Sequence, residues 1–74
     1  MSEVVLRVRF TSGEHTDVRY DDTGSGDDNE LIDRIVATLA ADDGVLRCRH
    51  GERLLVLFGR GIASVEVAPR GAVL

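Results

Sequence analysis

The sequence predicts a single small α+β domain with the element order ββαβββ. Three patterns indicate this class. Residues 4–10 alternate between two faces as a half-buried strand does, residues 31–40 carry apolar side chains at helical spacing, and short apolar runs separated by glycine turns follow Gly44. Because 74 residues allow one domain, we expect one helix packed on a mostly antiparallel sheet of four to five strands. The domain is residues 1–74, with an ordered core of about 3–68 and a tail at 69–74.

The first two strands form a hairpin. Val4, Leu6, Val8 and Phe10 lie on one face of the first strand, and the residues between them lie on the other. Polar turn formers around Gly13 reverse the chain within a loop of four to six residues. The second strand places Val18 and Tyr20 inward.

An acidic loop at 21–27 precedes the helix. Asp27 and Glu30 have the spacing of a capping box, and Gly44 is a natural C-terminal cap. The helix carries one apolar stripe, formed by Leu31, Ile32, Ile35, Val36, Leu39 and Ala40.

Three further strands follow the helix. In the first, Leu46, Cys48 and His50 share a face. The two-residue turn Gly51-Glu52 has the glycine that a type II′ hairpin requires at its first central position. Residues 54–58 are apolar on both faces, and we assign Val56 to the face that the helix covers. A last strand at 62–67 ends before Pro69. Two strand orders stay open: a meander of the last three strands, or a parallel central pair.

This succession of elements across residues 4–67 resembles that of β-grasp (ubiquitin-like) domains. Ubiquitin-like modifiers end in a Gly-Gly pair, whereas the tail here contains Arg70-Gly71-Ala72, with one glycine. The resemblance therefore implies a fold and disfavours a role in conjugation.

Several function classes are disfavoured. No apolar run reaches the roughly 20 residues of a membrane-spanning helix, and no secretory signal is recognisable at the N-terminus. The single cysteine fits a reducing compartment, so we expect a cytoplasmic protein with no membrane partner.

Candidate chemical sites are also weak, and we expect no enzyme, cofactor or metal centre. The acidic loop loosely matches a calcium loop but has Ile32 where a bidentate glutamate belongs; whether it binds a cation stays open. Cys48 and His50 share a strand face, yet zinc needs four ligands and a nucleophilic thiol needs exposure near a positive group. Gly59 and Gly61 lack the following helix of a phosphate loop.

Charge is the most informative feature. The net charge of −4 combines a balanced segment 1–20, a segment 21–43 at −7 and a segment 44–74 at +3. All nine basic residues are arginines. Such asymmetry concerns partners rather than fold.

The sheet face turned away from the helix, here called the helix-distal face, is the candidate interaction site. Because arginine beside aliphatic side chains is typical of protein interfaces, we predict a non-catalytic protein-interaction module, with a homodimer through this face as one form. The alternatives are a solvated face whose arginines pair with Asp17 or Glu66, and nucleic-acid binding, which is less favoured because the three aromatic residues, Phe10, Tyr20 and Phe58, are assigned to the core face. The predicted interaction residues are Arg7, Arg9, Arg19, Arg47, Arg49, Leu55 and Leu57.

Overall fold

A computed structural model describes residues 3–21, 27–41 and 43–68 of the chain. The elements are β1 (Glu3–Phe10), β2 (His15–Asp21), α1 (Asp28–Ala40), β3 (Val45–His50), β4 (Arg53–Phe58), a 3-10 turn (Gly59–Gly61) and β5 (Ile62–Val67). The predicted fold class is confirmed: one helix packs on a five-stranded antiparallel sheet in a single small domain. Most of the acidic loop and the predicted tail at 69–74 lie outside the described residues.

The strand order is β4-β3-β2-β1-β5, and every neighbouring pair is antiparallel. Neither predicted strand order occurs. The last three strands do not form a meander, because β5 leaves β4 and pairs with β1 at the other edge. No parallel pair exists among the described strands, so the likeness to β-grasp domains is limited to the succession of elements.

The short link between β4 and β5 requires the sheet to curl. These strands lie at opposite edges and run in the same direction, yet only Gly59–Gly61 separates them. A flat five-stranded sheet would place its edges about 19 Å apart, four spacings of about 4.8 Å. Four Cα–Cα steps span at most about 15 Å. A register shift between Arg9 and Phe10, where β5 begins to pair with β1, provides a local bend.

The core lies between α1 and the concave face of this curled sheet. Leu31 and Ile35 of α1 are buried against strand residues that are almost inaccessible to water: Val4, Leu6, Val8, Val18, Leu46 and Cys48. Other residues of the predicted helical stripe are less completely covered: the side chain of Ile32 is 44% exposed and that of Val36 is 59% exposed.

Turn chemistry explains most element boundaries. Asp27 caps α1 as predicted, and its carboxylate accepts a hydrogen bond from the Glu30 amide at 2.9 Å. Gly51 has a φ of 60°, which only glycine adopts readily. In the described part of the chain no non-glycine residue has a positive φ, so a type I′ turn is excluded here and the type II′ prediction is supported.

The prediction that Gly44 caps the helix is wrong. The C-cap is Ala41 in an extended conformation, and Gly44 does not have a positive φ. Gly44 instead permits close packing. Its N–H donates to the Ala41 carbonyl at 2.8 Å and its carbonyl accepts from the Gly59 N–H at 2.9 Å.

Candidate functional site

The strand registers show which side chains lie on the helix-distal face. Residues directly opposite each other on antiparallel strands share a face. Arg7 lies opposite Asp17 and Glu66 on its two sides, and Arg19 lies opposite Arg49. The five predicted arginines therefore share the helix-distal face, as the alternation of the sequence indicated: Arg7, Arg9, Arg19, Arg47 and Arg49.

Two of these arginines are neutralised by neighbouring strands. The Arg7 guanidinium donates through Nε to Asp17 Oδ1 at 2.9 Å and through Nη2 to Oδ2 at 3.2 Å. This bidentate pair lowers the pKa of Asp17 below its ordinary value, mainly through the hydrogen bond, and raises the pKa of Arg7. Arg9 forms a longer pair with Glu66 at 3.4 Å. This half of the face matches the alternative of a solvated face with cross-strand pairs.

The other three arginines have no such partner in the part of the chain that the structure describes. Within residues 3–21, 27–41 and 43–68, no ion pair involves Arg19, Arg47 or Arg49. Moreover, Arg19 and Arg49 are directly opposite each other on β2 and β3, an arrangement that like charges disfavour. Glu3 and Asp21 lie beside this group on the same face, but no salt bridge joins either carboxylate to these arginines.

An apolar strip borders these arginines on the edge strand β4. Leu54 is 75% exposed, Val56 51% and Phe58 56%. Leu54 lies opposite Arg49 and Val56 lies opposite Arg47. Large apolar side chains in a contiguous exposed row indicate an interaction site more often than a solvated surface.

The predicted positions of Leu55 and Leu57 are wrong. Leu55 lies opposite Cys48 and Leu57 opposite Leu46, so both point to the concave face, where they pack against the core. The apolar members of the helix-distal face are instead Leu54, Val56 and Phe58. Because residues 54–58 are apolar on both faces, alternation alone could not fix which residues of β4 face outward.

The aromatic assignment also changes for one residue. Phe10 and Tyr20 pack against the core as predicted, but Phe58 lies on the helix-distal face opposite Val45. The Arg60 guanidinium carbon lies 5.6 Å from the centre of the Phe58 ring, within cation–π range. The face therefore carries one exposed aromatic ring that the sequence interpretation placed in the core.

We define the arginine–apolar surface as Arg19, Arg47, Arg49, Leu54, Val56 and Phe58. A groove of about 330 Å³ runs along it and is bounded on its β1–β2 side by Glu3, Asp21 and Arg19. The opposite wall is formed by Leu54 and Val56. The groove thus joins three guanidinium groups and an apolar wall, with the carboxylates of Glu3 and Asp21 at one side.

The other candidate groups do not form a site within residues 3–21, 27–41 and 43–68. The Cys48 thiol is buried, and burial raises its pKa. His50 is held at the strand end, where its Nδ1 donates to the Asp17 carbonyl at 2.7 Å. Among the described residues, no group of three His, Cys, Asp or Glu could hold a metal ion. The positions at 22–26 of the calcium-like loop fall outside the described residues.

A second, uncharged cavity of about 260 Å³ lies between α1 and β5. Ile32, Val36, Val65 and Val67 contribute to its lining. At this cavity α1 does not cover the sheet completely, so Ile32 and Val36 of the helix stripe stay exposed.

Comparison with protein-family models, with curated proteins and with solved structures found no match for this chain. Within the described residues, no helix has both the length and the apolar character that crossing a membrane requires.

Proposed function

We propose that this protein is a non-catalytic protein-interaction module that binds an acidic, apolar segment of a protein partner at the arginine–apolar surface. The observation that carries the proposal is the contrast between two sets of arginines on one face. Arg7 and Arg9 are paired with carboxylates, whereas Arg19, Arg47 and Arg49 are not paired within the described ranges. Carboxylates of a partner would supply the ion pairs that the described residues do not give these three arginines.

The apolar strip supports a protein rather than a small anion as the ligand. Leu54, Val56 and Phe58 are more than half exposed, and burying such side chains contributes about 25 cal/mol per Å². Arginine and aromatic residues around an apolar centre are enriched at protein interfaces. A partner with acidic and aliphatic side chains would match both parts of the surface.

Face-to-face self-association fits this surface less well. Two copies stacked through their helix-distal faces would bring Arg19, Arg47 and Arg49 of one copy against the same arginines of the other. Like charges in a desolvated interface are costly. We therefore assign this face to an acidic partner and consider self-association at a different surface below.

Nucleic acid is the second candidate, and one observation favours it. Phe58 supplies an exposed ring beside the unpaired arginines, and aromatic rings that stack on bases accompany basic grooves in proteins that bind single strands. A net charge of −4 opposes this reading. It is tested together with the first.

The test is binding of labelled probes measured by fluorescence anisotropy. The probes are a peptide of alternating glutamate and leucine, a polyglutamate peptide of equal length and a single-stranded oligonucleotide. Arg47→Gln combined with Arg49→Gln should lower the affinity for the glutamate–leucine peptide at least about tenfold. The reason is that hydrogen bonds to charged groups contribute about 1.5–3 kcal/mol each before solvent screening. Polyglutamate should bind more weakly than the mixed peptide.

The matched control is Arg7→Gln combined with Arg9→Gln, which removes the same charge from the same face. Because these arginines are already neutralised by Asp17 and Glu66, the control should change binding much less. Equal losses in the two double variants would indicate a general charge effect and contradict the proposed site. If the oligonucleotide binds more tightly than the glutamate–leucine peptide and its affinity falls steeply with salt, nucleic acid would be favoured as the ligand.

The absence of catalysis and a cytoplasmic setting are part of the same proposal. The buried thiol of Cys48 and its raised pKa make it a poor nucleophile. The chain has one cysteine, which suits a reducing compartment.

A further inference from the structure

Within the described residues, the edge strand β4 pairs with β3 alone, so one side of its backbone is open. β4 pairs with β3 through a continuous register from Val45–Phe58 to His50–Arg53. The Gly59 N–H donates to the Gly44 carbonyl at 2.9 Å. Hydrogen-bonded and non-hydrogen-bonded pairs alternate along an antiparallel ladder. Hence residues 53, 55 and 57 direct their backbone groups toward β3, and residues 54, 56 and 58 direct theirs toward the open edge.

The outward backbone groups belong to the same residues as the exposed apolar strip. Leu54, Val56 and Phe58 therefore present three N–H groups, three apolar side chains and three C=O groups together. The Phe58 carbonyl already accepts one hydrogen bond as the N-cap of the 3-10 turn and has one lone pair left. Natural edge strands are usually protected by lysine, proline, charge or a bulge. Residues 54–58 contain none of these residue types, and the register of β4 is unbroken. Such an edge is suited to accept another strand.

We propose that β4 pairs antiparallel with β4 of a second copy of this chain, around a two-fold axis at Val56. This inference goes beyond the proposed function and uses the strand edge rather than the sheet face. In this register Val56 lies opposite Val56, and Leu54 lies opposite Phe58 of the other copy. All outward N–H groups of the three residues then find acceptors. This gives six backbone hydrogen bonds across the interface, two of which use the second lone pair of the Phe58 carbonyls.

Other registers satisfy fewer groups. An axis at Leu55 would pair Leu54 with Val56 and leave Phe58 opposite the turn residue Glu52. An axis between two residues would place an outward group opposite one already bonded to β3. The alternation of the ladder therefore selects the axis at Val56.

The side chains are compatible with this second copy. Leu54, Val56 and Phe58 of both copies form one continuous apolar row on the helix-distal face. The same antiparallel register brings Glu52 of one copy toward Arg60 of the other, so opposite charges meet at both ends. The two β3 strands are separated by three strand spacings, about 14 Å, which exceeds the Debye length of about 8 Å at physiological salt. The unpaired arginines on β3 therefore repel each other weakly.

The test is the solution mass of the full chain by light scattering over a wide range of concentration and at low and high salt. We expect the wild-type mass to reach twice the monomer mass of 8.0 kDa and to persist at high salt. Val56→Pro removes an outward N–H that β3 does not use, and Val56→Lys places two lysines opposite each other at the axis. Both variants should be monomers with the wild-type circular dichroism spectrum.

The matched control is Ser64→Lys, which adds the same charge on the exposed helix-distal side of the other edge strand and should remain a dimer. Amide exchange by NMR gives a second readout, because the Leu54, Val56 and Phe58 amides should become protected as the concentration rises. A wild-type mass of one monomer at every concentration would overturn the proposal. So would a dimer that survives both Val56 variants, or one that Ser64→Lys also disrupts.

Failure of this inference is distinguishable from failure of the proposed function. Arg47→Gln combined with Arg49→Gln should weaken peptide binding at least about tenfold and leave the mass at two copies. Val56→Pro should lower the mass to that of one copy, and because Val56 also lines the groove it should weaken peptide binding less than the loss of Arg47 and Arg49 does. A monomeric wild type that still binds the acidic peptide would refute only the dimer.

Discussion

The register of β4 predicts opposite outcomes for two adjacent leucines. Leu54 is 75% exposed, whereas Leu55 lies opposite the buried Cys48 and packs against the core. Leucine-to-alanine changes in full cores cost about 2–5 kcal/mol. Because Leu55 is half-buried rather than fully buried, we expect Leu55→Ala to lower the free energy of unfolding by about 1–2 kcal/mol. Leu54→Ala should change the free energy of unfolding by no more than about 0.5 kcal/mol.

These differences are measurable because small domains have little stability to lose. A 74-residue domain has a free energy of unfolding of roughly 4–11 kcal/mol at about 0.05–0.15 kcal/mol per residue. One kcal/mol shifts Tm by about 4–8 °C at this size, so Leu55→Ala should lower Tm by about 4–16 °C.

The assay is urea and thermal unfolding followed by circular dichroism. Both alanine variants are made in the Val56→Lys background, where no dimer contributes to stability by mass action. A Leu54→Ala loss equal to or greater than that of Leu55→Ala would refute the register of β4 and, with it, the position of the arginine–apolar surface.

Three further predictions test the packing and charges around the face. The lowered pKa of Asp17 stabilises the fold above its unfolded pKa, and this contribution is lost as the pH falls below about 4; Arg7→Gln should raise the midpoint of Asp17 in an NMR titration, and an unchanged midpoint would contradict the pair. A Cβ on Gly44 would lie 2.9 Å from the Ala41 backbone oxygen, so Gly44→Ala should cost about 1–3 kcal/mol in urea unfolding, whereas Gly61→Ala, with nothing within 4 Å, should stay within about 0.5 kcal/mol. The Cys48 thiol should react with a thiol reagent only at the rate of local opening, and fast reaction in the native state would place Cys48 outside the core.

The sequence contains enough information to predict which face of the sheet each residue of β4 lies on. The two-residue turn at Gly51-Glu52 makes His50 and Arg53 a directly opposite pair. Since His50 and Cys48 share a face, Arg53, Leu55 and Leu57 must share it too. Alternation within residues 54–58 carries no such information, because every position is apolar. The turn, rather than the strand, determines the face.

Other features depended on contacts that no local pattern contains. Arg9 pairs with Glu66, which is 57 residues away, and this contact exists because β5 crosses to the far edge of the sheet. The cross-strand alternative named Glu66 as a partner, but which arginine it neutralises follows from the register of β1 with β5. Likewise, the exposure of Ile32 and Val36 depends on how α1 sits over the curled sheet. Helical periodicity identified the apolar stripe but not the part of it that is covered.

The two proposed interactions are compatible, and together they would favour a divalent partner. Pairing through β4 uses backbone groups at the sheet edge and does not involve the guanidinium groups of Arg19, Arg47 and Arg49. In the dimer, the two sets of arginines lie on either side of one apolar row. A partner with two acidic segments could contact both sets, and the second contact would form at the high effective concentration that the dimer provides. Because that gain requires the dimer, Val56→Pro should lower the affinity for a peptide with two acidic segments much more than the affinity for a peptide with one. Equal weakening of the two peptides would show that the arginine sets act independently.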